Sequence, residues 1–422
     1  MVGRPEPVEL AEVTVRGYRT VLDATLRPGR LTVLVGEANA GKSNLLAAIR
    51  TLLDPTVPPS PADTPSGTTD LPLVLEGRLA NGTRLGPGHA VPDHVLPPVL
   101  FLPSELRSGP VVAPGTDRGE GARAAELLTG AVAERVSPHP RYSPATPATG
   151  IIPGLERCCR QGVQGVVLLI EEPELYLRPQ SQRYLYRVLR DFAAGGNQVF
   201  YSTSSPAFLN VARLEDLVLV TRDPAAGTRI LRPEPLPEAD EFRIMSEFDA
   251  ERSELFLAQA AVLVEGRTEK LALPYVFSAL GWDSDRSGIS IVECGGKGNI
   301  VVLARVCRAV GVPFVAVHDR DAPAGRQPSL SERNLNRLIA EIAGPENTVV
   351  LVPDFEGVSA LRRKTHKPEQ AWRRFRSVGA EDIPDPLARV ARRAMALAGP
   401  EEHRFGTLDP GPDGAKEAPS PP

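Results

Sequence analysis

The residues with the clearest chemical meaning are Gly36, Gly41, Lys42 and Ser43, which follow the apolar run 31–35. The spacing Gly-x-x-x-x-Gly-Lys-Ser between a strand and a helix is typical of a loop that binds nucleotide phosphates. Its backbone N–H groups and the helix dipole favour an anion, Lys42 is expected to reach the β- and γ-phosphates, and Ser43 is expected to ligate Mg²⁺. The competing interpretation is an ordinary glycine-rich turn. The other residues of the segment that we predict to contact nucleotide are Asn39, Ala40 and Asn44.

Paired carboxylates follow a second apolar run. Residues 165–170 predict a buried strand that ends at Glu171 and Glu172. Beside a phosphate loop, the first acid is expected to hold the Mg²⁺ shell and the second to activate the attacking water. Residues 198–203 predict another buried strand, which leads into hydroxyl residues near the γ-phosphate. A buried strand that is capped by acids without any catalytic role is the simpler alternative.

A second set of acids lies in the C-terminal half. Glu265 ends the apolar run 260–264, and Asp319 and Asp321 follow the run 313–318. Carboxylates at the C-terminal ends of strands in an α/β sheet lie on its functional edge. Three such acids cannot all ionise at close range without cations between them. They suit Mg²⁺ or Mn²⁺, and two ions can clamp both oxygens of a phosphodiester displacement. Each acid alone would be an ordinary solvated loop residue.

The elements that must position these residues can be predicted from periodicity. Alternating residues 9–26 predict an antiparallel hairpin, and further strands are predicted at 71–79, 99–102 and 289–293. Helices are predicted at 44–53, 122–136, 180–192 and 242–259, and from about residue 268. Segments 54–68, 110–121 and 137–149 are predicted to be loops, and 223–240 a hairpin tip with a proline-rich linker.

Composition sets limits on the function. The net charge of −4 means that any nucleic acid must be bound through local basic patches. No apolar run is long enough to span a bilayer and the N-terminus lacks a signal-peptide core, so a cytoplasmic protein is expected. The four cysteines lack zinc or disulfide spacing. Only six of the 48 basic residues are lysines, which favours positions where a compact point charge is needed: 42, 270, 297, 364, 367 and 416.

The phosphate loop, Ile170-Glu-Glu-Pro-Glu-Leu-Tyr-Leu177 and Tyr201-Ser-Thr-Ser-Ser-Pro206 occur in an order that resembles the ABC-type ATPase lobe of the OLD (overcoming lysogenisation defect) nucleases and their RecF-like relatives. Two features depart from that family. Ser204 stands where the family usually has a histidine that senses the γ-phosphate, and residues 144–150 are a poor match to the Leu-Ser-Gly-Gly signature. ATP binding with slow hydrolysis is therefore expected.

The C-terminal half resembles the topoisomerase–primase (Toprim) fold, with Gly295-Gly-Lys-Gly-Asn299 similar to the OLD version. By this resemblance Glu265, Glu269, Asp319 and Asp321 are metal ligands. Asp354-Phe-Glu356 and Lys367-Pro368 are similar to elements that follow the Toprim core in OLD nucleases. Glu356 is then a further ligand, and Lys367 stabilises the scissile phosphate. Nearby arginines would form either a nucleic-acid patch or a solvated helix face: Arg362, Arg363, Arg373, Arg374 and Arg376.

Together these features predict an α/β protein with a P-loop ABC-type ATPase domain (1–240), a linker helix (241–258), a Toprim (Rossmann-like) nuclease domain with a helical extension (259–398) and a disordered tail (399–422). The expected function is an ATP-regulated, Mg²⁺- or Mn²⁺-dependent endonuclease, with DNA favoured, acting in phage defence or DNA metabolism. A homodimer or higher oligomer is expected, and a partner defence subunit is a further candidate partner. A RecF-like DNA-binding protein with a non-catalytic Toprim half and an RNA- or tRNA-cleaving effector are the alternatives. The predicted catalytic residues are Glu172, Glu265, Asp319, Asp321 and Lys367.

Overall fold

The computed structural model describes residues 9–399 apart from 55, 66–70, 88, 90, 93–94, 105–110, 113–118, 134–146, 176, 207–212, 224, 239, 241–251, 323–325 and 362–365. Its N-terminal part contains eleven described strands: β1 (Leu10–Tyr18), β2 (Val21–Leu26), β3 (Leu31–Val35), β4 (Val74–Leu79), β5 (Arg84–Leu85), β6 (Val99–Leu102), β7 (Val111–Val112), β8 (Val167–Glu171), β9 (Gln198–Thr203), β10 (Leu217–Asp223) and β11 (Gly227–Leu231). Its described helices are α1 (Lys42–Leu53), α2 (Glu120–Ala133), α3 (Pro147–Arg160) and α4 (Pro179–Ala194).

Two sheets form this part. The larger has the order β11-β10-β3-β9-β8-β6-β7, and its central strands β10, β3, β9, β8 and β6 are parallel. The smaller sheet has the order β2-β1-β4-β5 and is antiparallel. Strands β3 and β8 both pair with β9, with Val35 opposite Thr203 and Glu171 opposite Ser202. This register brings the C-terminal ends of the three strands to one edge.

The C-terminal part is built on a second parallel sheet of order β13-β12-β14-β15. Its strands are β12 (Ala260–Val264), β13 (Ile289–Glu293), β14 (Phe314–Asp319) and β15 (Thr348–Leu351). Its described helices are α5 (Arg267–Ala279), α6 (Lys297–Ala309), α7 (Leu330–Ala343), α8 (Phe355–Val358), α9 (Lys367–Phe375) and α10 (Asp385–Ala398). Every residue of β12 is buried, as expected for a central strand covered on both faces.

The hydrophobic core is shared between the two parts. One cluster of buried side chains runs from the larger N-terminal sheet through Leu255 and Phe256 to one face of the C-terminal sheet. Another fills the space between the two N-terminal sheets, and a third packs α5 and α10 against the opposite C-terminal face. Across the described ranges, no helix is long and apolar enough to span a membrane.

Most predicted elements are present, including the 9–26 hairpin, the strands at both phosphate-site motifs and the C-terminal strands predicted at 260–264, 289–293 and 313–318. Strand β15 adds a fourth strand to that sheet beside β14. The loop predicted at 137–149 is wrong at its end, because α3 begins at Pro147. The likeness of 144–150 to a signature loop is weakened for the same reason, since proline is tolerated in the first turn of a helix. Of the predicted linker helix, residues 252–257 form a 3₁₀-helix and 241–251 lie outside the described residues. The predicted tail from residue 400 also lies outside them.

Candidate functional site

The lysine of the phosphate loop donates hydrogen bonds to carbonyl oxygens of the same loop. Strand β3 is fully buried, and α1 begins at Lys42 immediately after Gly41, whose φ is 110°. Lys42 is 5% exposed, and its Nζ donates to the carbonyl oxygens of Gly36 (2.7 Å) and Glu37 (2.8 Å). Burial lowers the pKa of Lys42, although the charges of Glu172, Glu174 and Glu37 act in the opposite direction. A buried ammonium held by neutral carbonyls is well placed to exchange them for phosphate oxygens.

Both glycines of the loop are required by close packing. A Cβ atom at Gly36 would lie 2.0 Å from the carbonyl oxygen of Val220 on β10, and one at Gly41 would lie 2.1 Å from Thr228 Oγ1. Thr228 Oγ1 also donates to the carbonyl oxygen of Ala40 (3.1 Å). The loop is therefore anchored to strands β10 and β11 on its outer side.

The predicted loop residues do not all face the same way. The side chain of Asn44 donates to Thr20 Oγ1 (2.7 Å), so it anchors α1 to the β1–β2 turn. Asn39 has a φ of 62°, a left-handed backbone conformation that asparagine adopts more often than most residues other than glycine. Ser43 is exposed in the first turn of α1, as a Mg²⁺ ligand would need to be.

The predicted acids lie at the same sheet edge. Glu171 ends β8 and accepts a hydrogen bond from the Ser104 N–H (3.4 Å). Glu172 follows with a φ of 41°, and its N–H donates to the carbonyl oxygen of Ser202 (3.1 Å). Ser204 Oγ lies 3.5 Å from Glu172 Oε1, so Ser204 contacts the proposed base directly. The roles of Glu171 and Glu172 remain predictions.

A third acid of this edge is Glu174, to which the sequence motifs assign no role. It is 5% exposed, and its Oε1 accepts from Thr203 Oγ1 (2.5 Å) and from the Ser204 N–H (3.3 Å). Burial raises the pKa of Glu174 to about 7, with the hydrogen bond from Thr203 acting in the opposite direction. Its other oxygen, Oε2, has no hydrogen-bond partner among the described residues. Glu174 thus fixes the end of β9, from which Ser204 projects.

The C-terminal sheet gathers its acids in the same way. Glu265 follows β12 and Asp319 ends the neighbouring β14. The N–H of Asp319 donates to Glu265 Oε2 (3.3 Å), and Asp319 Oδ1 accepts from the N–H of Phe355 (2.8 Å). Phe355 and Glu356 open α8 just beyond β15, which pairs with β14. Three of the four strands therefore contribute to one edge.

Three of the acids at this edge have raised pKa values. Burial, with the negative charges of Glu269 and Glu265, raises the pKa of Asp319 to about 8. Burial also raises the pKa of Glu269 to about 7, and Glu265 and Glu356 contribute in the same direction. The pKa of Glu265 is raised by burial as well. Such mutual perturbation of carboxyl groups is typical of functional sites.

Lysines are paired with the remaining acids. Lys367 Nζ lies 2.6 Å from Glu356 Oε1, and this hydrogen bond raises the pKa of Lys367. The Asp321 carboxylate pairs with Lys297 at the start of α6, and the backbone at Asp321 has a φ of 59°. The negative charge of Asp321 contributes to the raised pKa of Glu265, and the grouping of Asp321 with Glu265 and Asp319 stays a prediction.

The donor chemistry of this edge fits a divalent metal, although the geometry is not preassembled. The acids provide only oxygen atoms, which suits Mg²⁺ or Mn²⁺. Within the described residues, no three His, Cys, Asp or Glu side chains are arranged as a complete metal site. One oxygen of Asp319 accepts from the N–H of Phe355, and one oxygen of Glu356 is paired with Lys367.

The predicted arginine patch is largely engaged with the protein. Arg373 pairs with Glu369 (2.6 Å), Arg374 donates to the carbonyl oxygen of Asp382 (3.1 Å) and Arg376 stacks over Trp372 at 4.6 Å. Arg362, Arg363 and Lys364 lie outside the described residues. Cys158, Cys294 and Cys307 are buried and free.

Comparison with known proteins gives a family match within the C-terminal part. Residues 256–321 match the family model described as "Overcoming lysogenization defect protein-like, TOPRIM domain". The chain carries an OLD-like Toprim domain. The resemblance to OLD nucleases is thereby confirmed, and so is an α/β fold with a Toprim domain in the C-terminal part.

Individual relatives extend the comparison beyond this Toprim domain. The chain is 33% identical over 275 residues to the OLD nuclease of Thermus scotoductus, covering 60% of this chain and 52% of that protein. It is 28% identical over 161 residues to the Old nuclease of Escherichia phage P2, covering 37% of this chain and 28% of that protein. The C-terminal region of the Burkholderia pseudomallei OLD protein aligns over 34% of this chain and all of that structure, with a TM-score of 0.29 and 16% identity. The chain thus spans about half, or less, of the curated relatives that it matches.

Proposed function

We propose that this chain is an ATP-binding, divalent-metal-dependent endonuclease that cleaves phosphodiester bonds of nucleic acid, with DNA as the favoured substrate. The observation that carries the proposal is the placement of Glu265, Glu269, Asp319 and Glu356 at one edge of the Toprim sheet. Burial and the charges of the other acids in this set raise the pKa values of Asp319 and Glu269, and burial raises that of Glu265. Lys367 beside Glu356 adds a cation at the same edge. The two named nuclease relatives support the same reaction class.

Bound metal would polarise the scissile phosphate and activate water. The acids that would hold it are Glu265, Glu269, Asp319, Asp321 and Glu356. Phe355 would orient Asp319 through its backbone N–H (2.8 Å). Lys367 is 51% exposed at its side chain, so it can leave Glu356 and approach a phosphate oxygen at little desolvation cost. Its role would be to stabilise the charge that develops during cleavage.

The proposed test uses purified protein with supercoiled plasmid, linear duplex DNA and tRNA, in Mg²⁺, Mn²⁺ or EDTA. Cleavage of DNA that requires metal and is lost in Asp319→Ala and Lys367→Met is expected. Cleavage of tRNA alone would favour the RNA-directed alternative. Metal-independent DNA binding without cleavage of any of these substrates would refute the nuclease proposal and favour the RecF-like clamp.

Regulation by ATP is proposed from a contact between the two parts of the molecule. Glu37, in the phosphate loop, accepts a hydrogen bond at Oε1 from Gln259 Nε2 (2.9 Å), and Gln259 immediately precedes β12. The backbone carbonyl of the same Glu37 accepts from Lys42 (2.8 Å). A change in the position of Lys42 on nucleotide binding would therefore move Glu37 and alter its contact with Gln259, at the start of the strand that leads to Glu265.

The matched variants for regulation are Gln259→Leu, which removes the contact, and Gln164→Leu, which removes an amide remote from it. The effect of ATP on cleavage rate should be lost in the first and retained in the second. An unchanged ATP effect in Gln259→Leu would refute this route of coupling. A role in phage defence, assembly into at least a dimer and a partner subunit are further parts of the proposal, to be tested by sedimentation and by plaque assays.

A further inference from the structure

Lys297 is a deeply buried cation at the Toprim sheet edge. It begins α6 after Gly295 and Gly296, whose φ angles of 76° and 130° suit glycine. The N–H of Gly296 donates to the carbonyl oxygen of Glu265 (3.0 Å), which ties the start of α6 to the end of β12. The side chain of Lys297 is only 4% exposed. Its ammonium is therefore held inside the protein next to a proposed metal ligand.

Two carboxylates hold this ammonium. Lys297 Nζ contacts Asp321 Oδ2 directly and lies 3.1 Å from Glu332 Oε2. Glu332 lies in the first turn of α7, where its N–H donates to the helix-capping Ser329 Oγ (3.2 Å). The carboxylates are 39% and 32% exposed at their side chains, so the lysine is enclosed and the acids reach solvent. A cation arriving from solvent can approach Asp321 without passing Lys297.

We propose that Lys297 is a positioning residue that competes with the divalent metal for Asp321 and so sets the metal affinity of the site. In the metal-free protein the ammonium supplies the positive charge that Asp321 requires. Metal binding transfers Asp321 from Lys297 to the metal, and Glu332 then retains the lysine. This inference rests on the proposed metal-dependent function.

Glu332 is central to the inference because it gives the lysine a second partner. Breaking a buried pair by removing one partner is costly, since it leaves an uncompensated charge. With Glu332 present, release of Asp321 leaves Lys297 paired within hydrogen-bond distance. Without Glu332, the lysine would have Asp321 as its single carboxylate partner in the described structure and would hold it more firmly.

Removal of Lys297 and removal of its second partner, Glu332, should therefore have opposite effects on metal binding. Lys297→Met should strengthen Mn²⁺ binding about tenfold or more, because a tenfold change in Kd needs only about 1.4 kcal/mol. Glu332→Gln should weaken Mn²⁺ binding severalfold. A purely structural role of the Lys297 cluster would weaken binding in both variants.

The experiment measures Mn²⁺ binding to the full chain by electron paramagnetic resonance, without nucleic acid or nucleotide, with thermal melting as the folding control. Glu293→Gln is the matched control, because Glu293 ends β13 at the same sheet edge and is not an ion-pair partner of Lys297 among the described contacts. It should change Mn²⁺ affinity less than Glu332→Gln does. An equal loss in both would mean that general charge, rather than the hold on Lys297, explains the effect.

A double-mutant cycle completes the test. Lys297→Met should have no effect on Mn²⁺ affinity in an Asp321→Asn background, because the contested ligand is gone. Unchanged or weakened binding in folded Lys297→Met would overturn the inference. If Lys297→Met does not fold, the Mn²⁺ affinity of Glu332→Gln provides the test. Unchanged or tighter Mn²⁺ binding by that variant would overturn the inference. Since metal binding is measured without a substrate, the inference can fail while cleavage is observed, and it can hold even if none is found.

Discussion

Replacement of Glu174 by glutamine tests the electrostatics of the phosphate site with little change in shape. Glu174 Oε1 accepts hydrogen bonds from Thr203 Oγ1 and from the Ser204 N–H, and an amide oxygen at the same position can accept both. The variant therefore keeps the contacts that hold the end of β9 and removes only the ability to carry a negative charge. Its stability should depend on pH differently from that of the wild type.

The magnitude follows from the pKa of Glu174. Burial raises it from an ordinary value of 4.5 to about 7. Because the folded value lies above the unfolded one, the contribution of the protonated acid is fully present below pH 4.5 and is lost as the pH rises through about 7. The difference corresponds to roughly 3 kcal/mol. Glu174 is buried, so solvent screening does little to reduce it.

Glutamine adds a cost of its own that does not depend on pH. The Oε2 position has no partner among the described residues, so an amide nitrogen there would be an unsatisfied donor worth about 1–3 kcal/mol. This cost is the same at every pH, so it cancels when the stability difference between variant and wild type is compared at two pH values. Between pH 5 and pH 8, the wild type should lose roughly 2–3 kcal/mol relative to Glu174→Gln.

Urea unfolding at pH 5 and pH 8, followed by circular dichroism, measures this change. Glu76→Gln, at an exposed position on β4, controls for the loss of one negative charge. The same stability difference between wild type and Glu174→Gln at both pH values would refute the assigned burial and charge of Glu174. A change of similar size in the Glu76 variant would attribute the effect to net charge instead.

Three further predictions concern the two sites. Lys42→Met should abolish ATP binding measured by calorimetry, because it removes the ammonium now held by the Gly36 and Glu37 carbonyls; wild-type affinity would contradict the phosphate-loop assignment. Gly36→Ala should destabilise the protein by about 1–3 kcal/mol, since its Cβ would lie 2.0 Å from the Val220 oxygen; an unchanged urea midpoint would contradict this packing. In EDTA, Asp319→Asn should be more stable than the wild type, and this difference in stability should be larger at pH 9 than at pH 5. The pKa of Asp319 is raised to about 8, so the wild-type acid loses its contribution to stability as the pH rises through that value. Thermal melting at both pH values checks it, and a larger gain at pH 5 would refute the sign.

The strands of both parallel sheets and the residues at their ends could be predicted from the sequence, because they depend only on short local patterns. Strands β3, β8, β12 and β14 are continuous apolar runs, because parallel central strands are buried on both faces. The residues that follow such strands must lie on one sheet edge, so Lys42, Glu171, Glu265 and Asp319 could be placed without coordinates. Each of these predictions needs only the direction of a strand and the residue at its end.

Contacts between distant segments could not be predicted in the same way. Glu332 lies on α7 and reaches Lys297 on α6, and Gln259 reaches Glu37 from 222 residues away. Neither contact follows from periodicity, because it depends on how two elements pack. Glu174 was within reach of sequence reasoning, since an acid two residues after the strand-ending pair lies beside the same strand ends. Its burial against Thr203 is the part that required the structure.

The scarcity of lysine in this arginine-rich chain has a physical explanation at two of its six positions. Lys42 and Lys297 are each 5% exposed, and each places a compact ammonium between two oxygen atoms of the protein. A guanidinium is planar, larger and fixed in its donor directions, so it cannot replace either contact pair in the same space. In both cases the lysine is held by groups that it must exchange in the proposed function: two carbonyls at the phosphate loop, and a carboxylate at the Toprim edge. Arginine at position 297 should therefore fail to restore the wild-type Mn²⁺ affinity even though the charge is kept, and a Lys297→Arg variant that binds Mn²⁺ as the wild type does would show that charge alone, not the compact ammonium, sets the competition.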